Sequence, residues 1–64
     1  MTRSVDFWGP AVFKFRLKHG LTQQEFAIGC GISKNEVAKI ERRLCKNITV
    51  RILAKLMRYM NIDE

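Results

Sequence analysis

Sixty-four residues suffice for one domain with a thin core and leave no room for a substrate cleft beside it. Twelve Lys and Arg against six Asp and Glu give a net charge of +6. The stretch from Ser33 to Arg58 carries all of it, through Lys34, Lys39, Arg42, Arg43, Lys46, Arg51, Lys55 and Arg58 against Glu36 and Glu41, a concentration that suits a polyanion, either nucleic acid or an anionic membrane.

Two cysteines, Cys30 and Cys45, and one histidine, His19, are too few for a zinc site. The opening residues hold no apolar run of the length a secretory leader or membrane span needs. A cytosolic protein with reduced thiols, no metal and no cofactor is expected.

Residues 1–8 lack a helical period, and residues 1–9 are expected to form an N-terminal arm. Gly9-Pro10 then predicts a helix over 10–19, with proline at its first position, Val12 and Phe15 on one face and Gly20 as the stop. Thr22 followed by Glu25 three residues on is a capping box, with Leu21 and Phe26 placed as a hydrophobic staple. It opens a helix over 23–30 whose apolar stripe is Phe26, Ala27 and Cys30. Gly31 breaks that helix at a turn that calls for positive φ. Ser33 and Glu36 make a second capping box, opening a helix over 34–42 with Val37 and Ile40 turned inward.

Leu44 to Ile48 reads as a loop, and Thr49 caps a last helix over 50–61. This helix has two apolar arcs. Val50, Leu53, Met57 and Met60 are expected to face the core. Ile52, Leu56 and Tyr59 fall roughly opposite, and with Ile62 beyond them they are expected to form a dimer interface. No segment alternates with period two, so the fold class is all-α, a compact bundle of four helices.

The two short helices around Gly31 carry the functional signal. Ala27 is small where the second helix must cross closely over the first. With Val37 and Ile40 turned inward, the third helix leaves Lys34, Asn35, Ala38, Lys39 and Arg42 outside. Polar, basic and small side chains on one face suit a helix laid in the major groove of DNA.

On three groups of residues the chain resembles the Cro- and repressor-type (XRE-like) helix-turn-helix family. They are Leu21-Thr22-Gln23-Gln24-Glu25-Phe26-Ala27, then Gly31-Ile32-Ser33, then Val37-x-x-Ile40-Glu41, within a likeness over roughly residues 11–62. The resemblance implies a lambda-repressor-like domain of four or five helices. It makes the second helix, with Thr22, Gln23 and Gln24 at its start, the positioning helix on the DNA backbone. It makes the third the recognition helix, with Ser33, Lys34 and Asn35 at its base-reading start and Lys39 one turn further. Arg42, Arg43 and Lys46 would grip phosphates. It also implies a structural ion pair between Arg16 and Glu41. The chain departs from the family's pattern in having Arg43 where glycine is usual, in a loop one residue longer before the last helix, and in ending at Glu64, where many relatives carry a fifth helix.

The function these readings imply is a sequence-specific regulator of transcription, a repressor or controller that binds double-stranded DNA. One such domain reads about four to six base pairs, so a homodimer on a palindromic operator is expected. An antitoxin with a toxin partner is the alternative in the same class, though no extra segment for neutralising a toxin is evident. A protein-interaction module on the same fold is a further alternative, opposed by Gln23, Lys34, Asn35 and Lys39 on the reading side. No enzyme is expected, since the chain offers no Ser/His/Asp set, no acid pair and no phosphate-cradling glycine loop. Membrane binding is not expected either, because the basic residues are tied to a folded helix rather than to one amphipathic face.

Overall fold

The computed structural model describes residues 2–61. Four helices follow one another among them: α1 (Val5–His19), α2 (Gln23–Cys30), α3 (Lys34–Arg42) and α4 (Val50–Met60). The fold is all-α. Helix α3 lies against both α1 and α2, and α2 against α4.

Helix α1 starts five residues earlier than Gly9-Pro10 suggests, so the expected arm over residues 1–9 is largely helix. Ser4 is the N-cap, its Oγ accepting the Asp6 N–H at 3.1 Å. From there Val5, Trp8 and Val12 recur at i, i+3 and i+7 and are all buried. Pro10 sits inside the helix and has no N–H to offer the Asp6 carbonyl; Asp6 is exposed, so water is at hand for that group. Gly9 answers to packing rather than to helix initiation. A Cβ there would stand 2.9 Å from the Ile40 carbonyl oxygen, so only glycine lets α1 come this close to the end of α3.

The core gathers Trp8 and Val12 from α1, Phe26, Ala27 and Cys30 from α2, Val37 and Ile40 from α3, and Ile52, Leu56 and Met60 from α4, with Ile48 from the loop. Phe15, Phe26 and Tyr59 add an aromatic cluster joining α1, α2 and α4, with ring centroids 5.2–5.7 Å apart. Tyr59 also packs over Gly29, where a Cβ would collide with the phenol.

Helix α4 is rotated relative to the sequence-based expectation. Ile52 and Leu56, expected at a dimer interface, are 4% and 0% exposed and belong to the core. Tyr59 is half-buried against the same core. Buried side chains cannot also meet a second subunit, so Ile52 and Leu56 are core residues rather than members of such an interface. Ile62, its fourth member, lies outside the described residues. On the arc expected to face inward, Met60 is buried, Leu53 and Met57 pack at the core's edge, and Val50 is exposed.

Candidate nucleic-acid interface

The turn between α2 and α3 is built from backbone hydrogen bonds. Gly31 takes a left-handed conformation (φ 83°), which lets its N–H and that of Ile32 both reach the Ala27 carbonyl, at 2.9 and 3.0 Å. Both capping boxes are present. Thr22 Oγ1 accepts the Glu25 N–H at 3.0 Å and Glu25 returns a carboxylate oxygen to the Thr22 N–H at 2.9 Å. Ser33 Oγ accepts the Glu36 N–H at 3.1 Å while Glu36 Oε1 accepts the Ser33 N–H at 2.9 Å.

Helix α4 braces this turn from behind. Lys55 Nζ donates to the Gly31 carbonyl at 2.8 Å, and Arg51 Nη2 donates to Glu36 Oε2 at 3.1 Å. The Ser33 N–H, seconded by the Ser33 hydroxyl and Arg51, holds the Glu36 carboxyl below its ordinary pKa against the opposing effect of its partial burial. The sequence reading missed these braces. Arg51 and Lys55 stand four residues apart on one helix, a spacing that puts both on one face.

Helix α3 presents two unlike faces. Val37 and Ile40 are buried, whereas Lys34, Asn35, Lys39 and Arg42 are exposed, with Ala38 half-buried. Lys34 and Asn35 occupy its first turn, beside the capped start. Gln24, at the start of α2, is also exposed. Gln23 is half-buried, and its Nε2 donates to Glu41 Oε1 at 3.2 Å, so its side-chain amide is partly committed within the subunit.

The Arg16 guanidinium grips Glu41 with Nε 2.6 Å from Oε2 and Nη2 2.9 Å from Oε1, and its Nη1 donates to the Leu21 carbonyl at 3.0 Å. The two side chains are 13% and 9% exposed. Hydrogen bonding to Glu41 raises the Arg16 pKa, so the guanidinium stays charged. Three elements, α1, the start of α2 and the end of α3, are fastened at this point.

Arg43 caps α3 in the left-handed conformation, φ 57°. Its Nε lies 3.8 Å from Asp6 Oδ1, both side chains being well exposed. Arg42, Arg43 and Gln23 line one open groove together with Gly9, Pro10 and Phe13. Arg43 and Lys46 border a second with Cys45 and Asn47. Lys39 lies along a third, between α3 and the loop. Of the expected contact residues, Gln23, Arg42 and Arg43 thus share one groove, Arg43 and Lys46 the second, and Lys39 borders the third. Cys45 is exposed, and Cys30 is buried, which raises its thiol pKa.

A family model described as helix-turn-helix, of the Cro/C1 type, matches residues 12–64. The chain belongs to this helix-turn-helix family. Neither a curated protein nor a solved structure matches it. Family membership makes this helix-turn-helix protein a DNA-binding regulator of transcription. Among the described residues no helix is long and apolar enough to cross a membrane.

Proposed function

We propose that the protein is a cytoplasmic, sequence-specific repressor or controller that lays α3 in the major groove of a palindromic operator. The observation that carries this is the division of α3: apolar Val37 and Ile40 inside, and Lys34, Asn35, Lys39 and Arg42 outside. Lys34 donates to guanine O6 or N7, and Asn35 pairs with adenine N6 and N7. Lys39 follows the groove wall. Arg42, Arg43 and Lys46 bind phosphates, as do Gln24 and the backbone N–H groups at the start of α2, with the Thr22 and Ser33 hydroxyls as further donors. Gln23 supplies its backbone N–H and the part of its amide that Glu41 leaves open.

A homodimer supplies the length of sequence that one recognition helix cannot read. Two copies would occupy half-sites about one helical turn apart. Selection of bound sequences from random duplexes tests the whole reading. It should return a palindromic motif with that spacing. A single unpaired half-site would remove the dimer, and no enrichment would remove sequence-specific binding.

A further inference from the structure

We propose that the N-terminal segment Thr2–Val5 is a clip that fixes the α3–α4 loop, and with it Lys46, for contact with the DNA backbone. Arg3, Val5 and Trp8 are then positioning residues for that contact. The inference rests on the reading of Lys46 as a phosphate ligand.

The loop from Cys45 to Ile48 lies between the last bond of α3, Leu44 N–H to the Lys39 carbonyl, and the first of α4, and its backbone is held by the N-terminal segment. The Val5 N–H donates to the Lys46 carbonyl at 3.0 Å, and the Ile48 N–H donates to the Arg3 carbonyl at 2.8 Å. Arg3 Nε returns a hydrogen bond to the Ile48 carbonyl at 2.8 Å. Ser4 and Asn47 stand opposite each other as a single antiparallel bridge. The clip is itself anchored, because the Trp8 indole, wholly buried in the core, donates its Nε1–H to the Thr2 carbonyl at 3.0 Å. On the loop's side the anchor is the buried Ile48 side chain.

Lys46 thus starts from a backbone held at its own carbonyl and, two residues on, at Ile48, while its own side chain is exposed. A loop ordered before DNA arrives loses less conformational freedom on binding. The clip residues, 2–5, and Trp8 all precede the family match, which begins at residue 12. They are an addition to the matched pattern that serves its loop.

Val5→Pro in the full chain is the direct test. Proline is favoured at the first helical position, and Ser4 already has the extended backbone (φ −68°, ψ 133°) that precedes proline comfortably, so the variant mainly removes the N–H that holds Lys46. Binding to the selected operator and to a random duplex should fall together, by roughly twofold to tenfold. The salt slope should shrink by about one per subunit, and the Ile48 amide should exchange faster. In a Lys46→Ala background Val5→Pro should add nothing to the loss. Trp8→Phe, which keeps a buried ring and loses the Nε1–H, should behave alike. Unchanged affinity and slope, or losses that simply add to that of Lys46→Ala, would overturn the clip. If Lys46→Ala itself leaves binding intact, the phosphate reading of Lys46 fails and the clip's role in binding falls with it; faster Ile48 exchange in Val5→Pro would then mark the clip as a purely structural fastening.

Discussion

Arg16 and Glu41, twenty-five positions apart in sequence, are joined by two side-by-side hydrogen bonds that tie the first helix to the last turn of α3. Removing one partner from so shielded a pair strands the other's charge, at about 3 kcal/mol. Glu41→Ala should therefore lower the melting temperature by more than 10 °C, since about 1 kcal/mol corresponds to 4–8 °C in a domain of this size. Thermal melts followed by circular dichroism check this. A variant that melts with the parent would show that solvent readily replaces Glu41.

Arg43 occupies a left-handed position that favours glycine, and a side chain there costs about 1 kcal/mol. Arg43→Gly should accordingly stabilise the fold by roughly that amount. On the proposed reading it should also weaken binding to operator and random duplex alike. Urea unfolding paired with duplex titration separates the two effects, and a glycine variant no more stable than the parent would mean that the Asp6 contact offsets the backbone cost.

The lowered Glu36 pKa has a definite sign in the pH dependence. In the unfolded chain Glu36 takes up its proton at the ordinary glutamate value, whereas the folded protein resists until lower pH. Its contribution is thus fully present above the ordinary value and is lost as pH falls through the lower, folded one. Glu36→Gln can still accept the Ser33 N–H, so it should keep the cap while flattening that part of the acid limb. Melts of parent and variant at graded acid pH make the comparison; parallel curves would dismiss the effect.

Asn35 and Lys46 should separate reading from gripping. Asn35→Ala should cost about 1–3 kcal/mol on the selected operator and little on random DNA, whereas Lys46→Ala should weaken both equally. With about four phosphates neutralised per subunit, the dimer's log K should fall against log salt with a slope near −7. Arg51→Gln should leave that slope unchanged, because its guanidinium faces Glu36. Fluorescence titrations across a salt series read all three. A slope near zero, or equal losses on both duplexes for Asn35→Ala, would displace these assignments.

The parts legible in sequence are those set by local chemistry. Each capping box is written within four residues, so Thr22–Glu25 and Ser33–Glu36 announce the starts of α2 and α3 unaided. The start of α1 was masked by a local rule that lost to packing. Pro10 fits a first helical position, but Gly9 is needed against Ile40, and the signal lay upstream in Ser4 and the Val5-Trp8-Val12 spacing. On α4 both arcs are apolar, and which one turns inward depends on where Phe26 and Cys30 sit, which no periodicity within α4 contains. Charge was similarly ambiguous: Arg51 and Lys55 add to the basic stretch, yet they point at Glu36 and the Gly31 carbonyl.

Trp8 lies four residues before the family match begins, yet its side chain is among the largest to be wholly enclosed. The unit that recurs among relatives and the unit that folds here therefore have different boundaries. A polypeptide cut at residue 12 would keep every side chain proposed to meet DNA and lose its largest plug. Losing a tryptophan from a core costs about 3–5 kcal/mol. A chain of this size is stable by only about 3–10 kcal/mol. Transplanting the reading helices into another protein thus requires carrying the first eleven residues with them.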